Sequence, residues 1–191
     1  MAAHPPQDFL SGRLLIAMPG IDDERFERAI IYVCAHDEEH AMGITLNRPV
    51  DGLTMPDLLA RLGVKVGETQ REDIVLMGGP VERERGFVLH TDDYSSPAGT
   101  LPVAEGLSLT TSREVLNALA ADGPPRKAIL ALGYAGWGAG QLEKEMRDNI
   151  WLVGDPDPAL IFGDDHEHKW SNALARLGVS ADHLSAQAGR A

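Results

Sequence analysis

The chain has 191 residues and a formal net charge of −12, with 43% hydrophobic and 24% charged residues, 20 Gly, 12 Pro and a single Cys. That size and composition suit one folded domain and exclude a disordered or fibrous chain. The surplus of acid disfavours phosphate backbones and anionic membranes, and a lone thiol forbids an internal disulfide, which fits a reducing compartment.

Residues 1–8, with Pro5-Pro6 and a polar flank, read as a flexible lead-in to a domain spanning the rest of the chain. The apolar run Leu14–Met18 lacks a basic flank and is too short for a signal core. No segment approaches the roughly 20 apolar residues of a membrane helix, so the reading is cytoplasmic, with no membrane partner. Apolar or β-branched runs bounded by Gly, Pro or charge predict strands over Arg13–Met18, Ala29–His36, Ala41–Leu46, Ile74–Met77, Gly86–His90, Ala128–Leu132 and Asn149–Val153. Helices are predicted over Met55–Leu62 after a Thr54 cap, Arg113–Ala121 after Ser112, Ala139–Arg147 and His168–Leu177.

His36-Asp37-Glu38-Glu39-His40 is too short for a crossover, so the strands around it form an antiparallel hairpin. GGPVERER suggests a second local pairing, of Ile74–Met77 with Gly86–His90. The class is therefore α+β, with a mixed, mainly antiparallel sheet covered by helices.

Strict alternation along the second strand puts Ile30, Tyr32, Cys34 and His36 on one face. A hairpin centred on Glu38 sets Cys34 opposite Met42 and His36 opposite His40. An imidazolium beside the thiol would raise its thiolate fraction, so Cys34 with His36 is a candidate redox sensor or nucleophile. The competing reading is a small buried hydrophobe, silenced by desolvation. HDEEH repeats the i, i+4 histidines of a metalloprotease but lies in a turn and lacks the H-E-x-x-H order, and His166 and His168 want a third ligand; no metal site is assigned.

LALGYAGWGAGQLEKEM, from Leu130 to Met146, has the strand, glycines and helix start of an anion cradle. Yet Gln141 and Glu143 stand where a dinucleotide fingerprint needs its last Gly, and no Lys-Ser or Lys-Thr follows. Glu143 and Glu145 would meet the positive helix end themselves. The glycines at 133, 136, 138 and 140 therefore read first as positions of positive φ or close approach of Trp137 and its helix to the sheet. Nucleotide binding at Gly133–Gln141 is the alternative. No cofactor is assigned, and no G-x-S-x-G elbow or other catalytic constellation is present.

GRLLIAMPGIDDERFERAIIYVCAH, AMGITLNRP, GGPVERERGFVLH, GYAGWGAGQLEKEM, NIWLV and the W-x-x-A-L-x-x-L-G of Trp170–Gly178, in this order, resemble the YqgE/AlgH family of small bacterial proteins. The resemblance covers most of the chain. It implies a bifurcated, partly barrel-like sheet covered by helices, and it carries no defined reaction. One branch is named for control of alginate production and is often labelled a transcriptional regulator, but no helix-turn-helix is recognisable and the charge is wrong for direct DNA binding. The resemblance matches the family's cysteine to Cys34 and carries a candidate binding surface to Asn47, Arg48, Gly136, Trp137, Gly138 and Gln141. The leading reading is a non-enzymatic regulatory or binding protein that acts through a protein or small-molecule partner without touching nucleic acid.

Overall fold

The structure, a computed structural model, describes residues 9–21, 23–65, 74–104, 106–121 and 123–179. The lead-in assigned to 1–8, Asp22 and the tail past Leu184 lie outside the described residues. In chain order the elements are β1 (Leu14–Ala17), β2 (Ile30–His36), β3 (His40–Thr45), β4 (Pro49–Thr54), α1 (Met55–Arg61), β5 (Ile74–Met77), β6 (Val81–Thr91) and β7 (Thr100–Ala104). They continue with β8 (Leu107–Thr110), α2 (Glu114–Ala120), β9 (Ala128–Gly138), α3 (Gln141–Arg147), β10 (Trp151–Gly154), α4 (Pro158–Phe162) and α5 (Lys169–Arg176).

Local chemistry explains several of these. Thr54 caps α1 reciprocally with Asp57, the hydroxyl accepting the Asp57 N–H while the carboxylate accepts the Thr54 N–H. Ser112 makes no such cap on α2. β4 and β7 escape the sequence reading because PVDGLT and TLPVA, with an internal Gly and Pro, show no clean alternation. α4 is short but capped: the Asp157 carboxylate accepts the Ala159 N–H and also pairs with Arg176 of α5.

The sheet runs β10-β1-β2-β3-β9-β6-β8-β7 and curls into a half-barrel. Every neighbour on that path is antiparallel. β5 stands off the path, antiparallel to β4 and parallel to β9. The predicted local pairing of Ile74–Met77 with Gly86–His90 is thus corrected: β9 separates them, since β5 and β6 meet Ala131 and Leu132 from opposite flanks.

One face of the sheet buries Leu14, Ile16, Ile30, Tyr32 and Ile44 beneath α4 and α5. The other splits between a group with Leu15, Ile31, Val33 and Leu142 of α3, and a group beneath α1 and α2. Each fully buried aliphatic side chain contributes about 1.5–3 kcal/mol relative to exposure. His90, on β6, orders a buried polar chain: the Ser96 N–H donates to Thr100 Oγ1 at 2.8 Å, the threonine hydroxyls of Thr100 and Thr110 lie 2.8 Å apart, and Thr110 Oγ1 lies 2.7 Å from His90 Nε2. With Nδ1 2.7 Å from the Thr91 carbonyl, the ring donates there and accepts from Thr110.

α5 docks through two polar groups as well as its Trp170, Ala173 and Leu174 stripe. The Trp170 indole donates to Ala17 O, and the Lys169 ammonium, 2% exposed, donates to Leu46 O and Ile161 O. Burial pushes the Lys169 pKa down to about 8, against the raising pull of Asp164 and Asp165. A folded-state pKa below the unfolded one means that the unfolded chain binds the extra proton between about pH 8 and the ordinary lysine value, so stability rises with pH there. Lys169 alone should add about 1 kcal/mol to the denaturant unfolding free energy between pH 8 and 9, partly offset by Cys34, whose thiol burial holds protonated in the fold. Lys169→Met should flatten that slope.

Candidate functional site

The glycine stretch is where the sheet forks. GYAGWG does not turn: β9 runs on through Gly138, and only Gly140, at φ 71°, breaks it before α3. The predicted strand ending at Leu132 and the predicted turn over Gly133–Gln141 are both corrected. Strand geometry holds because glycine here serves a crossing of two backbones. Gly78 donates to Leu132 O on one flank of β9, while Val81 pairs with Tyr134 on the other, so Gly78-Gly79-Pro80 passes across β9. A Cβ on Gly79 would stand 2.0 Å from the Tyr134 carbonyl carbon, one on Gly78 2.3 Å from Gly133 O, and one on Gly133 2.5 Å from Gly79 O. Backbone meets backbone with no room for a methyl.

Beyond the crossing, β9 keeps β3 as its neighbour, with Met42 opposite Gly136 and His40 opposite Gly138. Among the described residues no strand pairs with the other flank from Ala135 to Gly138. A cleft of about 420 Å³ opens here, walled by Met42, Val81, Phe87 and Tyr134 and rimmed by His40, Glu82 and Arg85. Phe87 and Tyr134 meet edge to face at 5.5 Å, and the Arg85 guanidinium lies 5.4 Å from the Phe87 ring centre and 3.5 Å from the Glu82 carboxylate. Gly136 keeps the cleft open: the nearest atom to a Cβ there is Tyr134 Cε2, at 3.2 Å. Val81 to Gly86 spans five residue steps against two on β9, so the charged run Glu82–Arg85 bows outward and forms one lip.

α3 closes the back of this region. Glu145 Oε2 accepts both the Trp137 and the Trp151 indole N–H at 2.8 Å, and the two rings meet edge to face at 6.1 Å. Gln141 donates to the other Glu145 oxygen and accepts the Gly138 N–H at 3.0 Å. The Gly138 N–H is thus already held by protein, and Glu143 and Glu145 point their charge into the same short helix. Nothing in this arrangement favours a phosphate.

Cys34 and His36 part company. Ala35 faces Met42 and Val33 faces Gly43, so Cys34 is the extra residue of a bulge, and His36 faces Ala41 rather than His40. Below the bulge, Cys34 packs with Ile30 and Tyr32; above it, the alternation is inverted, because His36 shares the face of Ala41. His36 Nδ1 accepts the Leu10 N–H, so Nε2 carries the proton it shares with Glu143 of α3 at 2.6 Å. The predicted register, with Cys34 opposite Met42 and both side chains on one face, is corrected. The thiol is 3% exposed, donates weakly to Tyr32 O, and is pushed up by burial to about 12. Its thiolate fraction near pH 8 is then about one in ten thousand. Iodoacetamide is expected to leave native Cys34 unmodified and to label the unfolded chain completely, read by mass spectrometry.

Asn47 and Arg48 are engaged elsewhere. Asn47 accepts the Ile30 N–H and donates to Arg28 O, while Arg48 donates to Glu24 O and Glu27 O, so together they pin the loop between β1 and β2. His40 pairs with Asp37, and His168 with Asp165. Of the candidate surface, Gly136 and Trp137 line the cleft, Gly138 and Gln141 stand at its end, and Asn47 and Arg48 lie apart from its lining. Sequence reasoning missed Met42, Phe87, Tyr134 and Arg85, whose only local signal was aromatic residues beside glycines.

The AlgH-like family model matches residues 14–182. A UPF0301 protein of Caulobacter vibrioides (strain NA1000 / CB15N) is 64% identical over 185 residues, covering 96% of this chain and 95% of its own. One from Rhodopseudomonas palustris (strain HaA2) is 49% identical over 191 residues, covering 96% and 88%. Among solved structures, the solution structure of the AlgH protein from Pseudomonas aeruginosa matches with a TM-score of 0.76 at 42% identity over 100% of both chains. A crystal structure of a Corynebacterium diphtheriae protein matches with a TM-score of 0.69 over 92% and 90% of the two chains; at 20% identity it shares the fold alone.

Proposed function

The chain belongs to the AlgH-like family, and from that premise we propose that it is a non-catalytic binding protein of the cytoplasm, with its partner seated in the cleft between β3, β6 and β9. The observation that carries this reading is the half-buried Tyr134 ring, backed edge to face by the buried Phe87 and left reachable because position 136 has no side chain. A concave, mostly apolar site with few polar rim groups is the usual form of a ligand pocket. The acidic balance of the chain argues against nucleic acid as that partner, and no helix among the described residues is long and apolar enough to cross a membrane. A regulatory effect would then pass through the partner.

Titration with small aromatic probes, indole and benzamidine, followed by amide chemical shifts tests this directly. The expected result is a set of shifts centred on Gly136, Tyr134 and Phe87 at millimolar probe, lost in Gly136→Val, whose side chain fills the opening. Shifts confined to other surfaces, or none, would remove the proposal.

A further inference from the structure

Resting on that reading, we infer that the cleft takes an extended, basic peptide segment of a partner protein, which adds a strand to the open flank of β9 and drops one apolar side chain beside Gly136. Three observations converge. The first is backbone direction. The Leu46 N–H donates to Ile30 O and the Thr45 N–H to Gly78 O, so successive residues of β3 bond alternately to β2 and to the β9 side. Gly43 therefore points its groups at Ala135, and Ala41 points its groups at Trp137. The N–H and C=O of Gly136 consequently face the flank that no described strand covers, and Gly136 is exposed. Gly138 faces the same flank, and its N–H is capped by Gln141 rather than by a strand.

The second observation is the shape of the adjoining cleft. Residues directly opposite each other across an antiparallel pair share a face of the sheet. A peptide residue set opposite Gly136 would therefore project on the face that carries Met42 and Tyr134, into the space that Gly136 leaves empty. The third is charge. Asp37, Glu38 and Glu39 form the turn beyond the Gly138 end of the flank, and Glu82 and Glu84 stand on the bowed lip. Arg83 and Arg85, the latter paired with Glu82 and lying over Phe87, balance the two acids of the lip, so the net negative charge at this flank is that of the turn and suits Lys or Arg beside the apolar residue at the Gly138 end. Strand addition of this kind draws affinity from main-chain hydrogen bonds and specificity from the alternate side chains.

The probe is acetyl-Arg-Val-Leu-Val-Lys-amide, titrated into the full chain at low salt and followed by amide shifts, with the anisotropy of a fluorescein-labelled copy of the same peptide as the second readout. Binding should centre on Gly136, weaken about tenfold when the central Leu is N-methylated, and weaken similarly when Arg and Lys are both replaced by Glu. Glu38→Lys with Glu39→Lys, on exposed side chains, should weaken the basic peptide and spare indole, which carries no charge. No binding at millimolar peptide, equal binding of the N-methylated peptide, or shifts centred on β7 or β10 would each overturn the inference. So would concentration-dependent self-association through β9, which would make a second copy of the chain the occupant. If indole still shifts Gly136 while every peptide fails, the peptide inference falls and the cleft reading stands; if both fail, both fall.

Discussion

Gly133→Ala is expected to leave the chain unable to fold, whereas Gly140→Ala, seven residues on in the same motif, should cost only about 1–2 kcal/mol. Both glycines have positive φ, 75° and 71°. The difference is space: nothing lies within 4 Å of a Cβ on Gly140, while one on Gly133 lies 2.5 Å from Gly79 O and 2.9 Å from Val81 O. Backbone atoms at a crossing cannot swing aside as a side chain can. To admit the methyl, β6 must separate from β9, and losses above about 4 kcal/mol take most of the stability of an ordinary domain. Urea unfolding followed by tryptophan emission compares the two variants; equal midpoints would refute the crossing as a packing constraint.

Glu145→Leu is the second large effect. It removes the acceptor of two indole N–H groups on residues that are 4% and 2% exposed, Trp137 and Trp151. An orphaned buried donor costs about 1–3 kcal/mol, so the pair is expected to cost about 3 kcal/mol or more. Glu145→Gln keeps an oxygen in place for both donors and should recover most of that loss. The indole N–H resonances of Trp137 and Trp151 report it: both should move in Glu145→Leu and stay near their native positions in Glu145→Gln. A stability unchanged by the leucine would mean that both indoles find other acceptors.

These two variants mark how far the sequence could be read. Thr54 and Asp57 cap α1 within three residues of each other, and the hairpin at Asp37–Glu39 is equally local, so both were legible from spacing alone. Close approach is also the reason for glycine at 133, but the backbone it meets is not the one its sequence neighbours suggest. It is Gly78-Gly79, more than fifty residues earlier, and not Trp137 with its helix. The faces of Cys34 and His36 failed for a related reason. Strict alternation is the default, and the bulge between Val33 and Ala35 overrides it where Gly12 and Leu10, from before β1, bond to Val33 O and to His36. Gly136 and Trp137 entered the candidate surface through family likeness, whereas Met42, Phe87, Tyr134 and Arg85 sit on three separate strands and only the topology gathers them.

β9 also sets the order in which the molecule can be completed. It is the shared neighbour of β3, β5 and β6, three strands that precede it by tens of residues, and among the described strands it alone pairs with all three. During synthesis those strands leave the ribosome with their apolar faces lacking the central plank, and the half-barrel cannot close until Gly138 has emerged. A nascent chain stalled before Ala128 should therefore remain open to protease, and resistance should appear only once β9 and the α4 and α5 that cover the first face have all emerged. Such long-range closure makes refolding slow for a chain of this length.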